Sequence, residues 1–180
     1  GALPRFLAKD SLFRAPVLGW LMCKMAHIPV IRGSVDARKS LITARSVVEA
    51  GGAVVIFPEG TTTHDPDTWP MQARTGAARL ALATGAPVIP VAHWGDEQIL
   101  SYEYVDGPDG KKEKRKVSLW PRKTVHVKIG QPMNIAALVD DPSPQAKRTR
   151  TELNIVTEAM MDEITALLAH IRGEQAPKGR

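Results

Sequence analysis

Along the chain, short continuous apolar runs alternate with longer stretches in which apolar residues recur every three or four positions. Three runs stand out: IPVIR at 28–32, AVVIF at 53–57 and PVIPVAH at 87–93. Runs of this length, rich in β-branched residues, suit strands buried on both faces of a mainly parallel sheet. Between the first two lies DARKSLITARSVVEAGG, where Asp36 can cap a helix, Leu41, Ala44 and Val48 share a face, and Gly51 and Gly52 end it. Between the second and third lies MQARTGAARLALATG, with Ala77, Leu80 and Ala81 as its apolar stripe and Gly85 as its stop. This order, with short links, predicts right-handed crossovers and an α/β fold: a mainly parallel central sheet flanked by helices.

The flanks carry further elements. SLFRAPVLGWLMCKMAH (11–27) is apolar with Arg14 and Lys24 set into it, and Pro16 is expected to open its helix. GPDGKKEKRK (107–116) reads as a charged loop containing glycine. In TVHVKIG (124–130), Val125, Val127 and Ile129 alternate with His126 and Lys128, which predicts a half-exposed strand. The last helix is announced by a capping box at Thr149 and Glu152, and by Leu153, Val156, Met160, Ile164, Leu167 and Ile171 on one face. Residues 1–172 are expected to form a single α/β domain and 173–180 a frayed tail.

Composition narrows the partners. A net charge of +5 and a pI of about 9.5 favour anionic ones. Aromatic residues make up only 5 %, thin for base stacking, so nucleic acid is disfavoured. No apolar run approaches the roughly 20 residues that span a bilayer, and any membrane contact would be peripheral. The lone cysteine, Cys23, excludes an internal disulfide framework and has no ligand-spaced partner, so no metal is expected. No signal peptide is visible, and a cytoplasmic location is expected.

In parallel sheets ligands collect beyond the carboxyl ends of the strands. The first run ends in Arg32, the second in Glu59 after Pro58, and the third in His93. Pro58 should stop its strand, and Gly60 permits the turn that follows. The amides and hydroxyls of Thr61, Thr62 and Thr63 could then surround an anion. Arg74 is expected in the first turn of the next helix, where free N–H groups already favour negative charge. Arg32 and Arg74 would clamp a phosphate, and Glu59 would hold one of them or hydrogen-bond a substrate hydroxyl, which makes it the catalytic candidate. The plainer alternative is an Arg32–Glu59 salt bridge and a solvated Arg74.

IPVIRG, VVIFPEGTT and APVIPVA stand in the order and spacing of three blocks of the 1-acylglycerol-3-phosphate acyltransferases, and the chain resembles that family from about residue 5 to about 132. FLAKDSLFRAPVLGW and QARTGAARLALATG resemble the segments that precede and follow. The resemblance implies a glycerolipid acyltransferase-like fold and acyl transfer to a hydroxyl of a lysophospholipid or glycerol-phosphate acceptor, in phospholipid biosynthesis. The donor would be an acyl thioester, on coenzyme A (acyl-CoA) or acyl-carrier protein, used as a co-substrate with no further cofactor. It also implies that Arg32 binds the acceptor phosphate over a floor made by the glutamate block.

Two departures stand out. The family usually has arginine immediately after the Gly-Thr pair, and here that position is Thr62, which implies either a different headgroup or a larger share of the phosphate contact for Arg74. The family's catalytic His-x-x-x-x-Asp is absent: none of His27, His64, His93, His126 and His170 has an aspartate five positions later. With no initiator methionine ahead of GALPRF, the expectation is a piece of a longer acyltransferase, lacking its first catalytic strand and helix and inactive alone. His93 is the best-placed substitute base and His64 the next, although a lone histidine near a sheet edge is more often structural. An amphiphilic acceptor implies a visit to the cytoplasmic face of the membrane, with Leu12, Phe13, Val17, Leu18, Trp20, Leu21 and Met22 as an interfacial helix and KKEKRK near anionic lipid. The alternative is a non-catalytic module that binds phosphate or anionic membrane.

Overall fold

At the centre of the parallel sheet lies a strand that the hydrophobic pattern does not single out. In the computed structural model, which describes residues 3–31, 36–107, 110–118 and 120–177, β1 (Arg5–Lys9) pairs in parallel with two neighbours. One is β2 (Ile28–Val30), through Leu7↔Ile28 and Lys9↔Val30, and the other is β3 (Val54–Val55), through Arg5↔Val54 and Phe6↔Val55. The order β2-β1-β3 corrects the expectation that the first two apolar runs lie side by side. RFLAK escapes notice because charged residues end it and its interior is only half-buried. His27 serves this strand: its Nδ1 accepts the Phe6 amide at 3.2 Å, and its ring meets the Phe6 ring edge-on at 5.3 Å.

α1 (Pro16–Lys24) starts at Pro16 as expected. Its one buried residue is Gly19, set against the 3₁₀ turn Asp10–Arg14, where an added Cβ would lie 2.1 Å from the Phe13 carbonyl oxygen. With that side pressed inward, the opposite side of the helix faces out, and it is apolar: Val17, Trp20 and Leu21 are 81 %, 61 % and 44 % exposed.

α2 (Asp36–Glu49) and α3 (Gly76–Thr84) cover the sheet. Ile28, Ala44, Val47 and Leu80 form one buried cluster, and the Ser40 hydroxyl donates to the Pro29 carbonyl at 2.7 Å, tying α2 to β2. Val47 goes deeper than the expected Val48, which packs at the margin. A second cluster joins Ala78, Ala81 and Leu82 of α3 to Ile135 and to Leu153, Val156 and Met160 of α4 (Arg150–Arg172). Leu153 and Val156 are fully buried, and burial of such side chains stabilises by about 1.5–3 kcal/mol each. The capping box is formed: the Thr149 amide donates to Glu152 Oε2 at 2.8 Å, and the Glu152 amide donates to Thr149 Oγ1 at 3.1 Å.

Contacts divide the chain into two units, Gly1–Val88 with Met133–Met161, and Ile89–Pro132 with Asp162–Arg180. The elements above, apart from the last turns of α4, build the first. In the second, β4 (Val91–Trp94) pairs antiparallel with β7 (His126–Ile129), so the third apolar run does not extend the parallel sheet. Pro90 explains the late start, having no N–H for a ladder, while its carbonyl accepts the Gly130 amide at 2.9 Å. Val91 lies opposite Ile129 and His93 opposite Val127, all on an exposed face. The apolar side of β7 is therefore its open side, the reverse of the alternation expected. Ala92, on the other face, is buried, and the Arg172 guanidinium stacks over Trp94 at 4.5 Å.

Of the charged stretch 107–116, expected as a loop, the described residues are strand. β5 (Leu100–Gly107) and β6 (Gly110–Val117) form a hairpin in register from Leu100↔Val117 to Gly107↔Gly110. A two-stranded hairpin has no sheet interior to fill and so needs no apolar alternation to announce it.

Candidate functional site

β3 runs out at Phe57-Pro58, and the chain turns. The Gly60 amide donates to the Phe57 carbonyl at 3.0 Å, with Gly60 at φ +68°, a conformation that favours glycine. Fourteen residues later it returns, and the Arg74 amide donates to the Pro58 carbonyl at 2.9 Å. The intervening loop is held by its own polar groups. Glu59 Oε2 accepts the Met71 amide at 2.9 Å, and the Thr63 hydroxyl donates to the Trp69 carbonyl at 2.8 Å. Asp65 Oδ1 accepts the amides of Asp67 at 3.0 Å and Trp69 at 3.1 Å, while the Trp69 side chain is buried. These bonds answer why a short apolar strand gives way to so many polar residues: much of PEGTTTHDPD is spent on shaping the loop.

Five of the six predicted site residues therefore share one turn. Arg74 lies along it, with Cδ and Nε each 3.6 Å from where a Cβ on Gly60 would be, so the guanidinium stem crosses the glycine. Its side chain is exposed and has no ion-pair partner among the described residues. Arg74 does not occupy the first turn of a helix as expected, since α3 begins at Gly76 after an N-cap at Thr75. Thr61 and Thr62 are exposed at the turn, outside the loop's internal bonds. Arg32 lies outside the described residues, but β2 and β3 are parallel to the same β1, so their carboxyl ends share one edge of the sheet. Sequence reading missed the Glu59–Met71 fastening. The Asp65-x-Asp67 pattern in the loop was available as a signal of Asx-type turn chemistry.

The histidines separate into roles. His27 supports β1, while His64, His126 and His170 are exposed. In the second unit His93 Nδ1 lies 2.8 Å from Asp96 Oδ1, across the turn at Gly95. The hydrogen bond from His93 holds the Asp96 carboxyl below the usual carboxylate range, against the opposing effect of its partial burial. A carboxylate on Nδ1 fixes the imidazole tautomer and orientation, as a general base requires.

A family model described as Acyltransferase matches residues 2–94, just over half of the chain. The chain belongs to the acyltransferase family. Among similar proteins, the chain is 34 % identical over 100 residues to the chloroplastic 1-acyl-sn-glycerol-3-phosphate acyltransferase BAT2 of Brassica napus, covering 53 % of this chain and 28 % of that protein. It is 36 % identical over 87 residues to the lyso-ornithine lipid O-acyltransferase of Pseudomonas aeruginosa, covering 48 % and 33 %. The chain thus matches about a third or less of the length of these relatives. The crystal structure of the 1-acyl-sn-glycerophosphate (LPA) acyltransferase PlsC from Thermotoga maritima superposes with a TM-score of 0.58 at 18 % identity, covering 97 % of this chain and 59 % of that one. That likeness shows the shared α/β acyltransferase fold, and it extends beyond residue 94, where the family match ends. The strand-end turn, Pro58 to Gly60 with Arg74 across it, lies wholly inside the matched residues.

Proposed function

We propose that this acyltransferase takes part in transferring an acyl group from a thioester, on coenzyme A or acyl-carrier protein, to a hydroxyl of a lysophospholipid such as 1-acylglycerol-3-phosphate. The observation that carries the reading is the Arg74 guanidinium lying over the Gly60 turn, without an ion-pair partner among the described residues, at the end of a parallel strand and in residues that match the family. A dianionic phosphate there would take hydrogen bonds from Arg74 and from Thr61 and Thr62, with Arg32 as the further cation that the family resemblance implies. Glu59 acts as a positioning residue, since one of its oxygens fastens the loop that presents these groups. The acceptor hydroxyl then attacks the thioester carbonyl, the new C–O bond forms as the C–S bond breaks, and the hydroxyl proton passes through a base to the departing thiolate. The chain contains no His-x-x-x-x-Asp to supply that base, and the His93–Asp96 spacing is three rather than five.

The acceptor is amphiphilic, and the outward apolar side of α1 supports docking on the cytoplasmic face of a membrane. Lys24 lies over the Trp20 ring at 5.9 Å, which places a cation at the rim of Val17, Trp20 and Leu21. Among the described residues no helix is long and apolar enough to cross a membrane.

Thiol release from a long-chain acyl-coenzyme A, with lysophosphatidate as acceptor, tests the reading. This chain is assayed beside the same protein extended upstream in its own reading frame, and activity in the extended form alone is the expected result. Activity in both would move the base to His93, with Asp96 as its orienting carboxylate. Silence in both, with lysophosphatidate binding intact, would favour a non-catalytic phosphate-binding module.

A further inference from the structure

Elsewhere in the first unit there is a half-open hollow of about 340 Å³ lined by Arg79, Ala83, Pro144, Ala146, Lys147 and Arg148. Arg79 and Ala83 are one turn apart on α3, and the facing wall is the segment that leads into α4. That segment is firmly built. The Ser143 amide donates to the Asp141 carboxylate at 2.9 Å, and the Ala146 amide donates to the Ser143 carbonyl at 3.1 Å. The Arg148 guanidinium donates to the carbonyls of Asp141 and Ser143, with Glu152 Oε1 at 3.8 Å. Its side chain is only 9 % exposed, so its charge is spent on the protein. Arg79 and Lys147 differ: both are exposed, and neither has a carboxylate within ion-pair distance among the described residues. The nearby carboxylates of Asp141 and Glu152 are engaged by Ser143 and Thr149 and lie beside Arg148, which balances them.

Two cations without ion-pair partners among the described residues thus line a hollow whose other lining residues, besides the engaged Arg148, are the small apolar Ala83, Pro144 and Ala146. Cations of this kind match phosphate oxygens, and small apolar side chains such as Pro144 and Ala146 leave room for the face of a ring. We propose that this hollow binds a phosphorylated nucleotide, with its ring against Pro144 and Ala146 and its phosphates between Arg79 and Lys147. The volume is near the lower end of small-molecule sites, about 300–1,000 Å³, which suits a mononucleotide. Because the 141–148 segment is already fixed by its own bonds, little ordering is needed on binding. The free nucleotide and the nucleotide end of a coenzyme A thioester present the same chemistry, and the inference does not depend on the acyl-transfer reading.

The test is a calorimetric titration of the full chain with adenosine 3′,5′-bisphosphate, coenzyme A and inorganic phosphate, with no turnover involved. The bisphosphate is expected to bind at least about tenfold tighter than inorganic phosphate. The double variant Arg79→Glu, Lys147→Glu is expected to lose at least about tenfold in affinity with its melting temperature unchanged, since both side chains are exposed. If that variant does not fold, Arg79→Gln and Lys147→Gln, each losing part of the affinity, decide the matter. Coenzyme A binding more tightly than the bisphosphate identifies a thioester carrier as the source, and equal affinities identify a free nucleotide. Bisphosphate binding no tighter than phosphate, or unchanged in the variants, overturns the proposal.

Discussion

At the residue scale, Glu59 separates two roles that carboxylates often combine. Its Oε2 fastens the Met71 amide, a bond that an amide oxygen can also make. Glu59→Gln is therefore expected to keep most of the stability, whereas Glu59→Ala loses about 1.5–3 kcal/mol in a urea titration, the range for a charge-assisted hydrogen bond. A loss of turnover in Glu59→Gln with stability intact would show that its charge also acts on the reacting groups. Asp96 makes a different prediction. Folding lowers its proton affinity through the His93 hydrogen bond, so its contribution to stability is complete above the unfolded carboxylate value of about 3.9 and is lost as pH falls through the lower folded value. Asp96→Asn should reduce the stability difference between about pH 6 and about pH 3, measured by thermal unfolding. The residues of the strand-end turn were legible in the sequence because Pro58 and Gly60 have few backbone options. Their hydrogen-bond partners were not, because nothing in the spacing of Glu59 and Met71 signals a bond across twelve residues.

At the scale of elements, helices were read most accurately where local chemistry defines them. The Thr149–Glu152 box forms as expected, and Thr149→Ala should cost about 1 kcal/mol by chemical denaturation, in line with other N-cap losses. α1 was legible as a helix but not in orientation, since its apolar residues leave several sides equally plausible. Gly19 settles the orientation by admitting the Phe13 backbone where no Cβ fits. With Val17 and Trp20 outward, Val17→Ser and Trp20→Ser together should sharply reduce co-sedimentation with anionic vesicles and leave the melting temperature nearly unchanged. Strong loss of stability instead would mean that these side chains are covered by protein. Strands were read least well. β1 is too short and too charged at its ends for an apolar-run criterion, and β5 and β6 pair only with each other among the described strands.

At the scale of the whole molecule, the order of strand and helix blocks in the first half was legible, and that is the half the family model matches. Beyond residue 94 the sequence yielded α4 and a strand but not the strand pairings, because antiparallel partners 91–94 and 126–129 are separated by a hairpin that local pattern cannot bridge. The net charge of +5 is a property of the entire chain and acts over its surface rather than at one site. Binding to vesicles containing anionic lipid should accordingly weaken as salt rises from about 0.01 M to about 1 M, over which the screening length falls from about 30 Å to about 3 Å. Salt-independent binding would assign the attraction to the apolar side of α1 alone.

The self-supporting loop after Gly60 also bears on how such a protein can change over generations. Glu59, Thr63, Asp65 and the buried Trp69 hold its shape, while Thr61 and Thr62 stand exposed and contribute nothing to that scaffold. Replacements at these two positions leave the fold's foundations untouched, so under the proposed phosphate-binding role headgroup preference would drift there one substitution at a time with no prior gain in stability required.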